Sequence, residues 1–159
     1  MEIHDVPFEP YRFFCEIGDS FIPVAGKKNL ELITEIDKDL QGAYLGDPFR
    51  IRQVVNNLLS NAIKFTEKGQ IKLGYRLLNP ETLYFYVSDT GCGIAANKIE
   101  HVFGRFIKLN NFEQGTGLGL AISETIVNKL GGKIGVESIE GKGSKFWFTL
   151  PYTPAQKKS

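Results

Sequence analysis

The segment that most constrains this chain is DPFRIRQVVNNLLSNAIKFTEKG, beginning at Asp47. Asp47 is a good helix N-cap, and Pro48 has its φ preset for the first helical turn. Ile51, Val54, Val55, Leu58, Leu59 and Ala62 then follow at i, i+3, i+4, i+7, i+8 and i+11, which predicts a helix closed by Gly69. A helix striped in this way has to bury its apolar face against a second layer.

The neighbouring segments supply that layer. Phe13, Phe14, Ile17, Phe21 and Val24 predict a first helix over roughly 10–25, and Leu30, Leu32 and Ile36 mark a strand. Strands are expected at 70–78 and 82–88, turning at Asn79-Pro80, and again at 133–138 and 144–150, turning at Gly141-Lys142-Gly143. A short helix over 95–103 and a longer one over 118–130 complete the pattern. Strands joined by short turns pair antiparallel, which excludes a doubly wound βαβ sheet. The expected class is α+β: a mixed, mostly antiparallel sheet with about three helices on one face.

At 159 residues the chain fits one domain. Lys+Arg 19 against Asp+Glu 18 leaves +1, so charge offers no case for nucleic acid or a polybasic membrane anchor. No apolar run approaches the ~20 residues that span a bilayer. Cys15 and Cys92 lie far apart and outside any CxxC, which argues against zinc and a disulfide framework. A reduced cytoplasmic setting is the default.

Three stretches carry chemistry. On the Asp47 helix, Gln53, Asn57, Asn61 and Lys64 stack at i, i+4, i+8 and i+11, roughly opposite the apolar stripe. Amide oxygens suit a hard cation such as Mg²⁺, and a lysine one turn on can meet a phosphate; the plainer alternative is a solvated helix face. In VSDTGCGI, Asp89 continues the inward side of Leu83, Phe85 and Val87. An inward carboxylate needs a donor, which the exocyclic amine of a purine would supply, and Gly91 and Gly93 let backbone pass close to a flat base. The plainer alternative is a turn in which Asp89 bonds its own backbone. In EQGTGLGLAI, Gly115, Gly117 and Gly119 lead into a helix, where free N–H groups and the dipole attract anions. Leu120 spoils a Rossmann fingerprint, and no GxxxxGK[ST] is present.

Taken in order, NNLLSNAIKFT, DTGCGI, FGRF, GTGLGLAI and GKGSKFWFTLP resemble the N, G1, F, G2 and G3 boxes of histidine kinase catalytic domains. Those domains belong to the superfamily that includes gyrase, Hsp90 and MutL. The resemblance covers about residues 47–151 and implies a two-layer α/β sandwich (Bergerat fold) that binds ATP and Mg²⁺. By likeness, Asn61 and Asn57 match the metal-binding asparagines and Lys64 the phosphate-contacting lysine. Phe65 stands where an aromatic lies against adenine. Asp89 matches the aspartate that reads the adenine amino group, with Gly91 and Gly93 shaping the base pocket. Gly115, Gly117 and Gly119 match the hinge and phosphate-facing part of the ATP lid, and Thr116 and Leu118 fall in the same ATP-binding loop. Phe103 and Phe106 match the lid-anchoring F box. Lys108 sits where many members carry an arginine aimed at the γ-phosphate, and Ser144 matches a Ser/Thr that reaches adenine through water.

Gyrase-like and Hsp90-like members carry a glutamate four residues before the metal asparagine, as base for an attacking water. Here that residue is Asn57, and an amide takes no proton at neutral pH. The resemblance therefore implies in-line transfer of the γ-phosphoryl to a histidine, by positioning and charge neutralisation. The two histidines, His4 and His101, both lie outside an HE-x-RTP-like setting and are read as non-acceptors. The acceptor is then expected on a separate dimerisation hairpin of a homodimer, with a response regulator receiver domain downstream. Residues 1–9 are expected to be residual linker from that hairpin, 10–152 the catalytic domain and 153–159 a flexible tail. No nucleic acid or direct membrane contact is expected; the setting is cytoplasmic, with the full-length protein anchored in an inner membrane as one version. Two alternatives stay open: a stand-alone serine kinase of the anti-sigma factor type, and a non-catalytic ATP-binding or ATP-hydrolysing module. GTGLGLAI and the following IVNKLGGKIGVES favour the histidine kinase.

Overall fold

A computed structural model of the chain describes residues 2–37, 42–94 and 116–153, with the backbone alone for 116–119. The expected helix over 95–103 lies outside the described residues, as do Phe103, Phe106, Lys108, His101 and Gly115.

The elements run β1 (Val6–Phe8), α1 (Pro10–Gly26), β2 (Glu31–Ile36), β3 (Tyr44–Gly46), α2 (Pro48–Phe65), β4 (Gln70–Asn79), β5 (Thr82–Asp89), α3 (Thr116–Lys129), β6 (Lys133–Ile139) and β7 (Gly143–Pro151). Among the described residues a five-stranded sheet has the order β2-β4-β5-β7-β6, and β1 pairs with β3 in a small antiparallel ribbon. The mixed character is concentrated at one edge. β2 and β4 are parallel, Glu31 opposite Gln70 through Ile36 opposite Tyr75, while β4–β5, β5–β7 and β6–β7 are antiparallel. Parallel neighbours need a long crossover, and α2 supplies it. The Asn79 turn between β4 and β5 is closed by Glu81 N–H donating to Asn79 Oδ1 at 2.9 Å.

The α2 helix starts as expected: Asp47 Oδ1 accepts from Arg50 N–H at 3.1 Å. Its second oxygen accepts from His4 N–H at 2.8 Å, so one buried carboxylate caps the helix and holds the chain leading into β1. The helix ends at Phe65 rather than at Gly69, because Thr66 is already extended; Gly69, at φ 107°, instead turns the chain into β4. The Lys28 ammonium donates to the terminal carbonyls of Ile63 at 2.7 Å and Lys64 at 3.2 Å, stabilising the negative end of the helix.

The core lies between the helices and one face of the sheet. Phe14 of α1 stacks on Tyr75 and Phe85 at 5.2 and 5.1 Å between ring centroids, and Phe85 packs on Phe148 at 4.6 Å. Val54, Leu58 and Leu59 of α2 and Ile126 and Val127 of α3 close the same core. Val24 departs from the expected stripe and is exposed: the buried face of α1 runs through Phe14, Ile17, Gly18 and Ala25. The opposite face of the sheet is lined by Tyr84, Tyr86 and Trp147, with Arg76 4.6 Å from the Tyr84 ring centroid and Lys145 4.9 Å from that of Tyr86. These rings lie across strands, and they have room because Gly74 and Gly135 lack the Cβ atoms that would collide with Tyr86 and Trp147.

The stretch 1–9, expected as linker, contributes β1. Val6 pairs with Gly46 and Phe8 with Tyr44, and Phe8 packs edge-on to Phe13. No helix among the described residues is long and apolar enough to cross a membrane.

Candidate functional site

Where α2 ends against the β5 exit, the helix layer and the sheet leave a cleft of about 370 Å³, its mouth included. Asn61, Ala62 and Phe65 line it from α2, Asp89, Cys92, Gly93 and Ile94 from the loop after β5, Leu120 from α3, and Ser144 and Phe146 from β7. The walls are mostly apolar, and a carboxylate, an amide and a hydroxyl converge between them. Lys64, Phe65 and Cys92 also line a neighbouring, more open recess with Glu67, Lys68, Thr90 and Gly91.

Alternation along β5 delivers Asp89 to the cleft: Leu83, Phe85 and Val87 are buried on the same side. Its Oδ1 accepts from Gly91 N–H at 2.8 Å, so the backbone turn foreseen as the plainer reading is present, and the carboxylate lines the cleft as well. Burial pushes the Asp89 carboxyl above the usual carboxylate range, against the pull of the Gly91 and Ser144 backbone N–H groups.

The loop carrying Asp89 is pinned at several points. The Thr90 hydroxyl donates to Lys68 O at 3.0 Å and accepts from Gln70 N–H at 3.1 Å. Cys92 N–H reaches Phe65 O at 3.4 Å, and Gly141 N–H donates to Cys92 O at 2.7 Å. Ile94 N–H donates to the Ser138 hydroxyl at 2.7 Å; that hydroxyl bonds Gly143 O at 2.9 Å and meets Ser144 Oγ at 2.8 Å. The glycines serve this docking. A Cβ on Gly91 would lie 2.5 Å from Phe65 O, and one on Gly93, at φ 71°, would collide with Ile139 O. The close approach is to the end of α2 and to the β6–β7 turn.

Of the residues singled out from sequence, Asn61, Phe65, Asp89, Gly93 and Ser144 meet in the cleft, and Lys64 and Gly91 in the recess beside it. The Lys64 ammonium lies 5.7 Å from the Phe65 ring centroid. Asn57 is outside the cleft lining; its Nδ2 donates to the buried Ser123 hydroxyl on α3 at 3.2 Å. Thr116, Gly117, Leu118 and Gly119 form the first turn of α3, as the glycine-rich helix start implied. Sequence reasoning missed Ala62, Cys92, Ile94, Leu120 and Phe146. Phe146 was reachable, being two residues beyond Ser144 on the inward side of β7. The Ser138 pillar has no local signature.

Comparison with known proteins fits this geometry. Residues 46–154 match the family of histidine kinase-, DNA gyrase B-, and HSP90-like ATPases. A solved catalytic domain of the histidine kinase ThkA superposes with a TM-score of 0.81 at 31% identity, over 95% of this chain and 99% of that one. The chain belongs to this family. It is an ATP-binding catalytic domain of the sensor histidine kinase type. Sensor protein GacS of Pseudomonas syringae pv. syringae is 37% identical over 98% of the chain, and sensor histidine kinase RcsC of Escherichia coli K12 is 40% identical over 98%. The catalytic domain spans 18% and 17% of those two proteins. Full-length ShkA, solved in complex with AMPPNP, superposes with a TM-score of 0.88 at 30% identity, over 99% of this chain and 33% of that one.

Proposed function

We propose that this catalytic domain binds Mg·ATP in the α2–β5 cleft and transfers the γ-phosphoryl group to a histidine on a separate helical hairpin. The observation that carries the reading is Asp89, an acceptor at the wall of a mostly apolar cleft between α2 and the sheet. A carboxylate held by backbone N–H groups on one side is suited to accept the adenine amino group from the other. Phe65, Ile94 and Phe146 supply apolar wall for the ring, and Ser144 stands next to Asp89 as a second polar contact to the base. Lys64, at the adjoining recess, meets the phosphates. The lid residues Gly115, Thr116, Gly117, Leu118 and Gly119 present their N–H groups to the same phosphates, with Lys108 as a further candidate.

The donor set also fits magnesium that arrives with the triphosphate. Among the described residues no group of three or more His, Cys, Asp or Glu could hold a metal. Asn61 faces the cleft and Asn57 sits one turn before it, so the chain offers neutral oxygens and leaves the charge to the phosphates. Mg²⁺, when bound, neutralises the charge on the β- and γ-phosphate oxygens. The residues do the rest: Asp89 sets the base, Lys64 and the lid orient the γ-phosphoryl, and Asn57 offers no base to activate water. A neutral imidazole brings its own lone pair, so it needs no base to attack.

The acceptor hairpin, its homodimer and a response regulator receiver domain are the proposed partners, in a cytoplasmic setting. Residues 10–152 are the proposed catalytic unit, with 1–9 connecting towards the hairpin and 153–159 as tail. The test is ATP binding by the chain, with phosphorylation after adding a cognate hairpin in trans. We expect an acid-labile phosphate on the hairpin and none on the chain alone. Radiolabel on His4 or His101 would refute the separate acceptor, and acid-stable phosphoserine on a partner would favour the serine kinase class.

A further inference from the structure

Thr66 follows the last turn of α2 in an extended conformation and is wholly buried, and its hydroxyl has no hydrogen-bond partner among the described residues. Buried hydroxyls in that state are rare, because burial strips the group of water and returns nothing. Gly91 marks where this one lies. A Cβ built on Gly91 would stand 2.9 Å from Thr66 Oγ1 and 3.0 Å from Asp89 Oδ1, so the two oxygens share the space that a side chain there would fill. Asp89 Oδ1 already accepts from Gly91 N–H at 2.8 Å, and a carboxylate oxygen has a second lone pair. Beside an ionised carboxylate a threonine hydroxyl can only donate. Neighbouring hydroxyls are engaged elsewhere, Thr90 with Lys68 O at 3.0 Å and Ser144 with Ser138 Oγ at 2.8 Å. Thr66 is left with a donor to give, and burial makes the charge on Asp89 hard to hold without one.

We propose that Thr66 is a positioning residue for base recognition: when ATP binds, its hydroxyl donates to Asp89 and holds the carboxylate in place to accept from the adenine amino group. The hydroxyl that is unpaired in the empty domain becomes paired only with nucleotide present. This rests on the reading of Asp89 as the residue that meets the base, and its test separates the two.

The experiment titrates the 159-residue chain and its variants calorimetrically with ATP and with purine riboside triphosphate, which lacks the 6-amino group. Thr66→Val removes the hydroxyl and keeps the branched shape. It is expected to weaken ATP binding roughly tenfold, the low end for a hydrogen bond to a charged group, and to leave binding of the analogue unchanged. Thr66→Ser, which keeps the hydroxyl, should recover most of the ATP affinity. Without nucleotide, Thr66→Val should melt no lower than the parent, since it replaces a hydroxyl that bonds nothing; a lower melting point shows a partner already present and refutes the proposal. If Thr66→Val weakens both nucleotides equally, the hydroxyl is structural and the proposal falls. If Thr66→Val binds ATP like the parent while Asp89→Ala loses the preference for ATP over the analogue, Thr66 is refuted and the base reading stands. If Asp89→Ala keeps that preference, both readings fall. Should Thr66→Val not fold, a structure of the parent with ATP decides: Thr66 Oγ1 within hydrogen-bond distance of an Asp89 oxygen supports the proposal, and a hydroxyl still unpaired or bonded elsewhere overturns it.

Discussion

Gly93 offers a direct test of why the base-side loop is built as it is. A glycine there admits two explanations, room for a flat base or room for the β6–β7 turn, and the structure favours the turn. Substituting alanine has two costs. The left-handed φ of 71° costs an L-residue roughly 1–2 kcal/mol. The added methyl also meets Ile139 O and lies 2.9 Å from Glu140 Cα, backbone that cannot swing aside as a side-chain end can. Overpacking of that kind costs about 1–3 kcal/mol, for a total of roughly 2–5 kcal/mol. Gly141 provides the control, because it shares the left-handed geometry at φ 85° but has nothing within 4 Å of a built Cβ. Gly141→Ala should therefore cost only the roughly 1–2 kcal/mol of backbone strain. For a domain of this size each kcal/mol lowers the melting point by about 2–4 °C. Thermal unfolding of the nucleotide-free chain should then show a loss of about 2–8 °C for Gly141→Ala and about 4–20 °C for Gly93→Ala. ATP affinity should fall for Gly93→Ala as well, since the displaced loop carries Asp89. Equal melting points for the two variants would refute the collision. A parent-like melting point with lost affinity would show that Gly93 makes room for the base instead.

Asp89 gives a pH signature of opposite sign in stability and binding. Burial raises its carboxyl, so the folded chain holds that proton more tightly than the unfolded chain; the group adds stability on acidification and loses it as pH rises through its folded value. Melting points of the parent and Asp89→Asn, compared from neutral pH downward, should diverge in the parent's favour while the parent's ATP affinity falls; a pH-independent difference refutes the shift. Asp47→Ala removes a helix cap and the His4 N–H acceptor together, which should cost roughly 2–3 kcal/mol in denaturant titration, with Asp47→Asn milder. Equal losses for the two variants would show that the cap oxygen contributes little. Gly135→Ala should displace the single tryptophan, Trp147, and shift its emission without altering ATP affinity, because Trp147 lies on the sheet face away from the cleft. Unchanged emission would contradict the contact.

The α2 helix was legible because its cap, proline and apolar period act locally and agree. Alternation alone placed Asp89 on the inward face, and the same rule extended to β7 would have added Phe146. Contacts between residues distant in sequence left no such trace. The three-residue strands Val6–Phe8 and Tyr44–Gly46 are too short to show a period, and they form because Phe8 and Tyr44 share one apolar cluster. The parallel β2–β4 pair depends on where α2 returns the chain, which neither strand encodes by itself. Val24 was misplaced because a helix followed at 100° per residue drifts from a stripe fixed by Phe14, Ile17 and Ala25. Ser138 and Ser123 look like ordinary serines until the loop after β5 and the α2 amide are brought against them.

Asn57 is where fold and chemistry meet most closely. In relatives that hydrolyse ATP, the resemblance puts a proton-accepting glutamate at this place on the helix. Here the amide nitrogen is engaged by α3, and the residue has no proton affinity to lend to water at neutral pH. Asp89, a carboxylate lining the cleft, is held by Gly91 and on the proposed reading meets the base, away from a water at the γ-phosphate. On the proposed reading, a site with no proton acceptor at position 57 discriminates between attackers by their intrinsic nucleophilicity. Water needs deprotonation and is disfavoured; a neutral imidazole attacks as it stands. On that reading, selectivity for histidine over water follows from what α2 lacks at position 57, and the proposed acceptor domain has only to bring an unprotonated ring into line.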